Sequence, residues 1–184
     1  MRWTALFATS LLLGCEAPNA RTSARQTADS TTTPEAAAHH FEVDSAEYTL
    51  RRDGDGWTAS IGYVFRNPLE DTIAVVHCNG HVIMDLQKRT AEGWDYVWRA
   101  MTNACLSPAI EIPPRDSLTG RMEVWGAEPG HASLPTFETA ELEGEYRMVW
   151  HQPRTNWNTD AANFGDTLSL EQRTSETFRM RRPS

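Results

Sequence analysis

The residues with the most chemistry in them lie together in mid-chain: His77-Cys78-Asn79-Gly80-His81, with Cys105 further on. Imidazole and thiolate are ligands that zinc takes, four to an ion in a tetrahedron. Neighbouring residues on a strand point to opposite faces, so only one of His77 and Cys78 could easily reach a shared ion. Asp53-Gly54-Asp55-Gly56 opens like a calcium loop but lacks the later oxygen ligands and the closing glutamate, and a hairpin turn accounts for it. Trp94, Tyr96 and Trp98 recur at every second position and would share one face of a strand, as a core stripe or as a platform for a sugar or a protein. Trp157 stands apart, among polar residues. The chain has no Gly-x-Ser-x-Gly elbow, no His-Glu-x-x-His pair and no phosphate loop, and carboxylates such as Glu141 and Glu143 scatter over polar stretches. No catalytic residue, metal or cofactor is assigned on this basis. The candidate binding residues are Trp94, Tyr96, Trp98 and Trp157.

The elements that must hold these residues have a period of two. In Trp57 to Phe65 the apolar residues are Trp57, Ala59, Ile61, Tyr63 and Phe65, with Thr, Ser and Gly mostly between them, which predicts a strand with one buried face. Phe41 to Leu50 predicts a partner strand, joined to it by the Gly-containing hairpin at residues 51–56. A β-branched run from Thr72 to Cys78 suits a fully buried strand, and Asn79-Gly80 turns the chain into His81 to Leu86. Trp94 to Trp98, Ile110 to Ile112, Ser117 to Trp125, Glu145 to Trp150 and Thr167 to Leu170 follow. About eight or nine short strands with turn signals between them, and no amphipathic helix, predict an all-β, immunoglobulin-like sandwich of two antiparallel sheets. Two connections, residues 126–144 and 152–166, are long, a feature of functional or mobile loops.

The ends give the address. Arg2 precedes eleven uncharged residues, Trp3 to Leu13, and then Gly14 and Cys15, the layout of a secretory signal. As a helix that run would span roughly 16 Å, about half of a bilayer's hydrocarbon, too short for an anchor. Residues 16–40 contain no Val, Ile, Leu, Met, Phe, Trp or Tyr. Such a stretch has nothing to bury against an ordering cost of roughly 1–2 kcal/mol per residue, and as a coil it would reach roughly 25–30 Å. The expected organisation is a signal peptide over 1–14, a tether over 15–40 and one β domain over 41–184. Without Arg2, Lys and Arg number 16 against 25 Asp and Glu, a net charge of −9. An acidic chain without a basic stripe is a poor match for phosphate contacts, which excludes nucleic acid as the expected partner.

Leu12-Leu13-Gly14-Cys15 resembles the lipobox of bacterial lipoproteins. The resemblance implies that Cys15 becomes the mature N-terminus and carries a diacylglycerol group and an N-acyl chain such as palmitate, enough to anchor the protein stably in a bilayer. Glu16 is not the aspartate of inner-membrane retention, which leans toward the outer membrane of the cell envelope. In an oxidising compartment Cys78 and Cys105 then remain as an even pair, and a disulfide between them is expected. It would close a loop of 26 intervening residues, worth roughly 3–4 kcal/mol.

A second resemblance covers roughly residues 57–150. Arg66-Asn67-Pro68, Asp71-Thr72-Ile73, Gly93 to Trp98, Ile112 to Leu118, Trp125 and Gly144 to Met148 come in an order similar to the immunoglobulin-like domains of the BsuPI-type bacterial proteinase inhibitor family. The likeness lies in turns, corners and core aromatics, and implies the fold. Pro114-Arg115-Asp116 departs from the family's Pro-Gly-Glu corner, and an export signal departs from an intracellular inhibitor, so no inhibitory residue is carried over. The function expected is a non-enzymatic envelope lipoprotein that binds a protein or glycan; an envelope protease inhibitor and a hydrolase with a loop-built site are the alternatives.

Overall fold

Strand alternation puts the apolar half of each β segment on one side, and two such sides facing each other make the core. In the computed structural model, which describes residues 40–101, 107–155 and 165–184, that is the arrangement: an all-β sandwich built of antiparallel sheets, with one parallel strand pair. Cys15, Cys105 and Trp157, with the expected signal and tether, lie outside the described residues.

The first sheet is built on an eleven-residue ladder between β4 (Gly56–Arg66) and β11 (Ser117–Ala127). β1 (Phe41–Val43) and β3 (Arg51–Asp53) pair with the other edge of β4. The second sheet runs β2 (Glu47–Thr49), β15 (Phe178–Arg181), β12 (Gly144–Trp150), β8 (Met84–Arg89), β9 (Trp94–Trp98). A third, smaller sheet joins β10 (Ile110–Ile112), β5 (Ile73–Val75), β13 (Arg154–Thr155) and β14 (Asp166–Thr167). β6 (His77–Cys78) and β7 (His81–Val82) form a separate hairpin whose turn, Asn79-Gly80, has positive φ at both residues, as the twist of a two-residue hairpin requires.

The two main sheets meet over aromatic rings. Trp150 of β12 lies 4.2 Å from Phe65 of β4 and 5.3 Å from Phe41 of β1, ring centre to ring centre. Ala59, Ile61, Tyr63 and Phe65 are all buried, as their alternation predicts, and Trp57 at the strand's end is half-buried. Ile73, Ala74 and Val75 are buried on both faces, which is why that run shows no alternation.

Three expectations are corrected. Phe41 to Leu50 is not one strand: β1 pairs with β4, the chain crosses at Asp44–Ala46, β2 runs parallel to β15, and β3 returns to β4. Its apolar parity already changes inside the run, from Phe41 and Val43 at odd positions to Tyr48 and Leu50 at even ones. Thr167 to Leu170 is strand only at Thr167; the chain then makes the one helical turn among the described residues, Glu171–Arg173. The last strand, β15, carries a short but real signal, because Phe178 and Met180 are buried and alternate with exposed Arg179 and Arg181. Residues 126–144 are also less loop-like than their composition: Phe137 and Leu142 are core residues, and Phe137 N–H bonds to Ala127 O at 2.9 Å.

Candidate functional site

Strands β12, β8 and β9 turn one face to the core and the other to solvent. On β12, Tyr146, Met148 and Trp150 point inward and are fully buried, leaving Glu145 and Arg147 outside. Register sets Arg147 opposite Gln87 of β8, and Gln87 opposite Tyr96 of β9; Arg89 faces Trp94 in the same way. Two neighbouring rows of polar and aromatic side chains therefore cross the outer face of the sheet.

The expected face shared by Trp94, Tyr96 and Trp98 is broken by a β-bulge. Gln87 pairs with Tyr96 but Leu86 pairs with Trp98, so an extra residue, Val97, is inserted between them. The bulge turns Trp98 to the side of Leu86, into the core, where its indole N–H donates to Trp125 O at 2.8 Å. Trp94 and Tyr96 stay on the outer face, half-buried. Sequence periodicity cannot anticipate this, because one inserted residue reverses every later side chain.

Each outer ring carries cations. Arg147 lies over Trp94 with its guanidinium carbon 4.4 Å from the ring centre, Arg89 at 5.4 Å, and Arg99 lies 4.2 Å over Tyr96. Arg147 Nε donates to Gln87 Oε1 at 2.7 Å, and Gln87 is almost wholly buried, so the guanidinium is held from beneath as well as from the side. Desolvation lowers the Arg147 pKa from its ordinary value; the Tyr96 hydroxyl opposes this, and the neighbouring Arg89 adds to it. At the far end of the same face the buried carboxylate of Asp85 accepts the Ala100 N–H at 3.1 Å and stands 3.9 Å from both Arg99 and His151.

A second wall closes these side chains into a groove. Residues Thr174 and Ser175 pack along β12: Ser175 Oγ accepts the Met148 N–H at 2.8 Å, and Ser175 N–H donates to Met148 O at 2.9 Å. Between this segment and Trp94 lies a groove of about 840 Å³. Arg89, Trp94 and Arg147 line one side, Glu145 and Glu171 contribute carboxylates, and Leu170, 45% exposed, supplies an apolar edge. Leu170 and Glu171 are site residues that sequence reading misses; nothing in their spacing marks them, since the turn is positioned by its packing on β12.

The other sequence candidates sit elsewhere. His77 lies on the β6–β7 hairpin with both ring nitrogens used: Nε2 reaches Pro108 O at 2.7 Å, and Nδ1 accepts the Gly80 N–H at 2.9 Å. His81 is exposed on β7. Among the described residues no group of three or more His, Cys, Asp or Glu is placed to hold a metal ion. Asp53 to Gly56 is the two-residue hairpin turn between β3 and β4. Asp55 in it accepts the Ser133 hydroxyl at 2.6 Å and lies 3.6 Å from His131 Nδ1. The Ser133 bond is the largest of the effects that hold the Asp55 carboxyl below its ordinary pKa. These are the residue types of a hydrolytic triad in the wrong order, because the serine donates to the carboxylate and not to an imidazole.

No family model and no curated protein matches the chain. One solved structure with some similarity is Pseudomonas fluorescens alkylpurine DNA glycosylase AlkC bound to DNA containing an abasic site analog. It is 14% identical, the match covers 78% of this chain and 29% of that one, and the TM-score is 0.28. A likeness of that size carries no argument about this chain.

Proposed function

We propose that this chain is a lipid-anchored protein of the bacterial cell envelope, attached through Cys15, whose β-sandwich is a non-enzymatic module that binds a protein or glycan partner. The observation that carries the binding role is the groove beside Trp94. There a solvent-facing sheet surface sets Arg89 and Arg147 against the half-buried Trp94 ring, with Arg99 against Tyr96 on the adjoining strand face, a composition concentrated at binding hot spots. The address rests on the charged start, the short apolar run and Cys15.

The same reading includes a Cys78–Cys105 disulfide. Two contacts support it: Asn79 N–H bonds to Ser107 Oγ at 3.4 Å, and His77 Nε2 to Pro108 O at 2.7 Å. They bring the hairpin that carries Cys78 alongside the chain two residues beyond Cys105.

The test is in-envelope crosslinking of the full chain, capture, and mass spectrometry of what is bound. A dominant partner recovered with the wild type and lost with Trp94→Ala supports the reading. A turnover by the purified protein that one loop substitution abolishes would replace it with an enzyme. Anchoring is read separately, as palmitate incorporation that Cys15→Ala removes.

A further inference from the structure

We infer that the groove takes an extended peptide of mixed charge, with an acidic side chain against Arg147 and Arg89 and a basic one against Glu145 and Glu171. This rests on the reading of that face as a binding surface and names the chemistry of its ligand.

Aromatic rings on a protein surface usually suggest sugar stacking, but here the rings are already occupied. Arg147 and Arg89 both lie over Trp94, and Arg99 over Tyr96, at 4.2–5.4 Å from the ring centres. What the rings do instead is hold the guanidinium groups in place. Arg147 is fixed by Trp94 and by its bond to buried Gln87, while its two terminal nitrogens have no acceptor among the described residues. Arg89 has no carboxylate partner among them either. A fixed, partly desolvated guanidinium with its fork free is the arrangement that binds a carboxylate through two parallel hydrogen bonds, and little ordering cost remains at the moment of binding. An anion between Arg147 and Arg89 would also relieve their mutual repulsion.

The rest of the groove has the opposite sign. The side chains of Glu145 and Glu171 make no ion pair among the described residues, whereas Glu176 Oε1 is engaged by the Val43 N–H at 2.9 Å. A purely acidic ligand would meet these two carboxylates, so the complement has to carry both charges. Glu145 and Arg147 are two residues apart on one strand face, roughly 7 Å along it. An extended peptide with oppositely charged side chains at alternate positions has the same spacing.

The experiment uses the full chain in detergent micelles and labelled, end-capped heptapeptides followed by fluorescence anisotropy. One peptide alternates Lys and Glu with Thr between them; in a second, Gln replaces every charge. The expected result is binding of the mixed-charge peptide that weakens with salt, at least tenfold tighter than the Gln peptide. Arg147→Gln should lower that affinity at least tenfold while the far-UV circular dichroism shows the fold retained. Arg147→Glu should bind best a peptide whose Glu residues are changed to Lys. Equal binding of charged and uncharged peptides, indifference to Arg147, or tighter binding of a uronate oligosaccharide would each overturn the inference. If the crosslinked envelope partner is lost with Trp94→Ala but kept with Arg89→Gln/Arg147→Gln, the ligand chemistry is wrong and the binding face stands. If neither variant loses it, both fall.

Discussion

Asn67 offers the sharpest test of how this domain is held together. It follows β4 and is 2% exposed, yet its side chain is fully engaged. Its Nδ2 lies 2.8 Å from Asp71 O, 2.9 Å from Ile112 O and 3.1 Å from Pro113 O, and its Oδ1 accepts the Leu69 N–H at 2.9 Å. One amide thus ties the turn after β4 to the end of β10. Two amide protons and one acceptor amount to three bonds, with the second proton shared among carbonyls. At about 1 kcal/mol net for each, Asn67→Ala is expected to cost about 3 kcal/mol. Asn67→Asp keeps the shape and the Leu69 contact but turns a carboxylate toward three carbonyl oxygens. It should cost more than the alanine at pH 7, and recover part of that loss at pH 4, where the protonated acid supplies one donor. The assay is urea unfolding followed by tryptophan fluorescence, with the midpoint falling and the slope unchanged. A loss below about 0.5 kcal/mol for Asn67→Asp at pH 7 would refute the reasoning, because an unsatisfied buried group costs about 1–3 kcal/mol.

Other expectations follow from the same geometry. Trp98→Phe removes the bond to Trp125 O and leaves a void, so it should destabilise by about 1–3 kcal/mol in the same assay, whereas Trp94→Phe should change the midpoint little. At Gly56 a methyl group would run into the Gly126 carbonyl oxygen, which the β4–β11 ladder holds in place; at Gly126 it would meet the Phe137 ring at 2.8 Å. Gly56→Ala should therefore lower the thermal midpoint more than Gly126→Ala, where a side chain can yield. Burial pushes the Tyr63 hydroxyl up to about 12 and raises Tyr146 and Tyr48 as well, the last also through its bond to Asp44. Because the unfolded phenols ionise near pH 10 and the folded ones later, this contribution is complete below pH 10 and is lost as pH climbs above it. Urea midpoints from pH 9 to 11.5 should fall accordingly, and an ordinary phenolate titration near pH 10 for all the tyrosines of the folded protein would contradict it. If Cys78 and Cys105 are bridged, thiol titration in denaturant will find neither free, and Cys78→Ser will cost about 3–4 kcal/mol.

The sequence alone determined that this is a β protein and which residues of its longest strands face the core. Alternation does that wherever one face is buried and the other wet, as in Ala59 to Phe65 and Met122 to Val124, because burial and the pleat share a period of two. It also located the tight turns at Gly54 and Asn79-Gly80, whose positive φ few other residues adopt cheaply. It put Trp94 and Tyr96 on one face but could not separate Trp98 from them, since the separation depends on a bulge set by pairing with β8. Nor could it say that Phe41 to Leu50 divides between two sheets, or that the short β15 completes the second. The groove itself was beyond local reading. Arg147 and Leu170 stand far along the chain from the hairpin that carries Gln87 and Trp94, and only strand register and the packing of residues 170–177 on β12 bring them together. Periodicity reports which way a side chain faces; what it faces is decided by the partner strand.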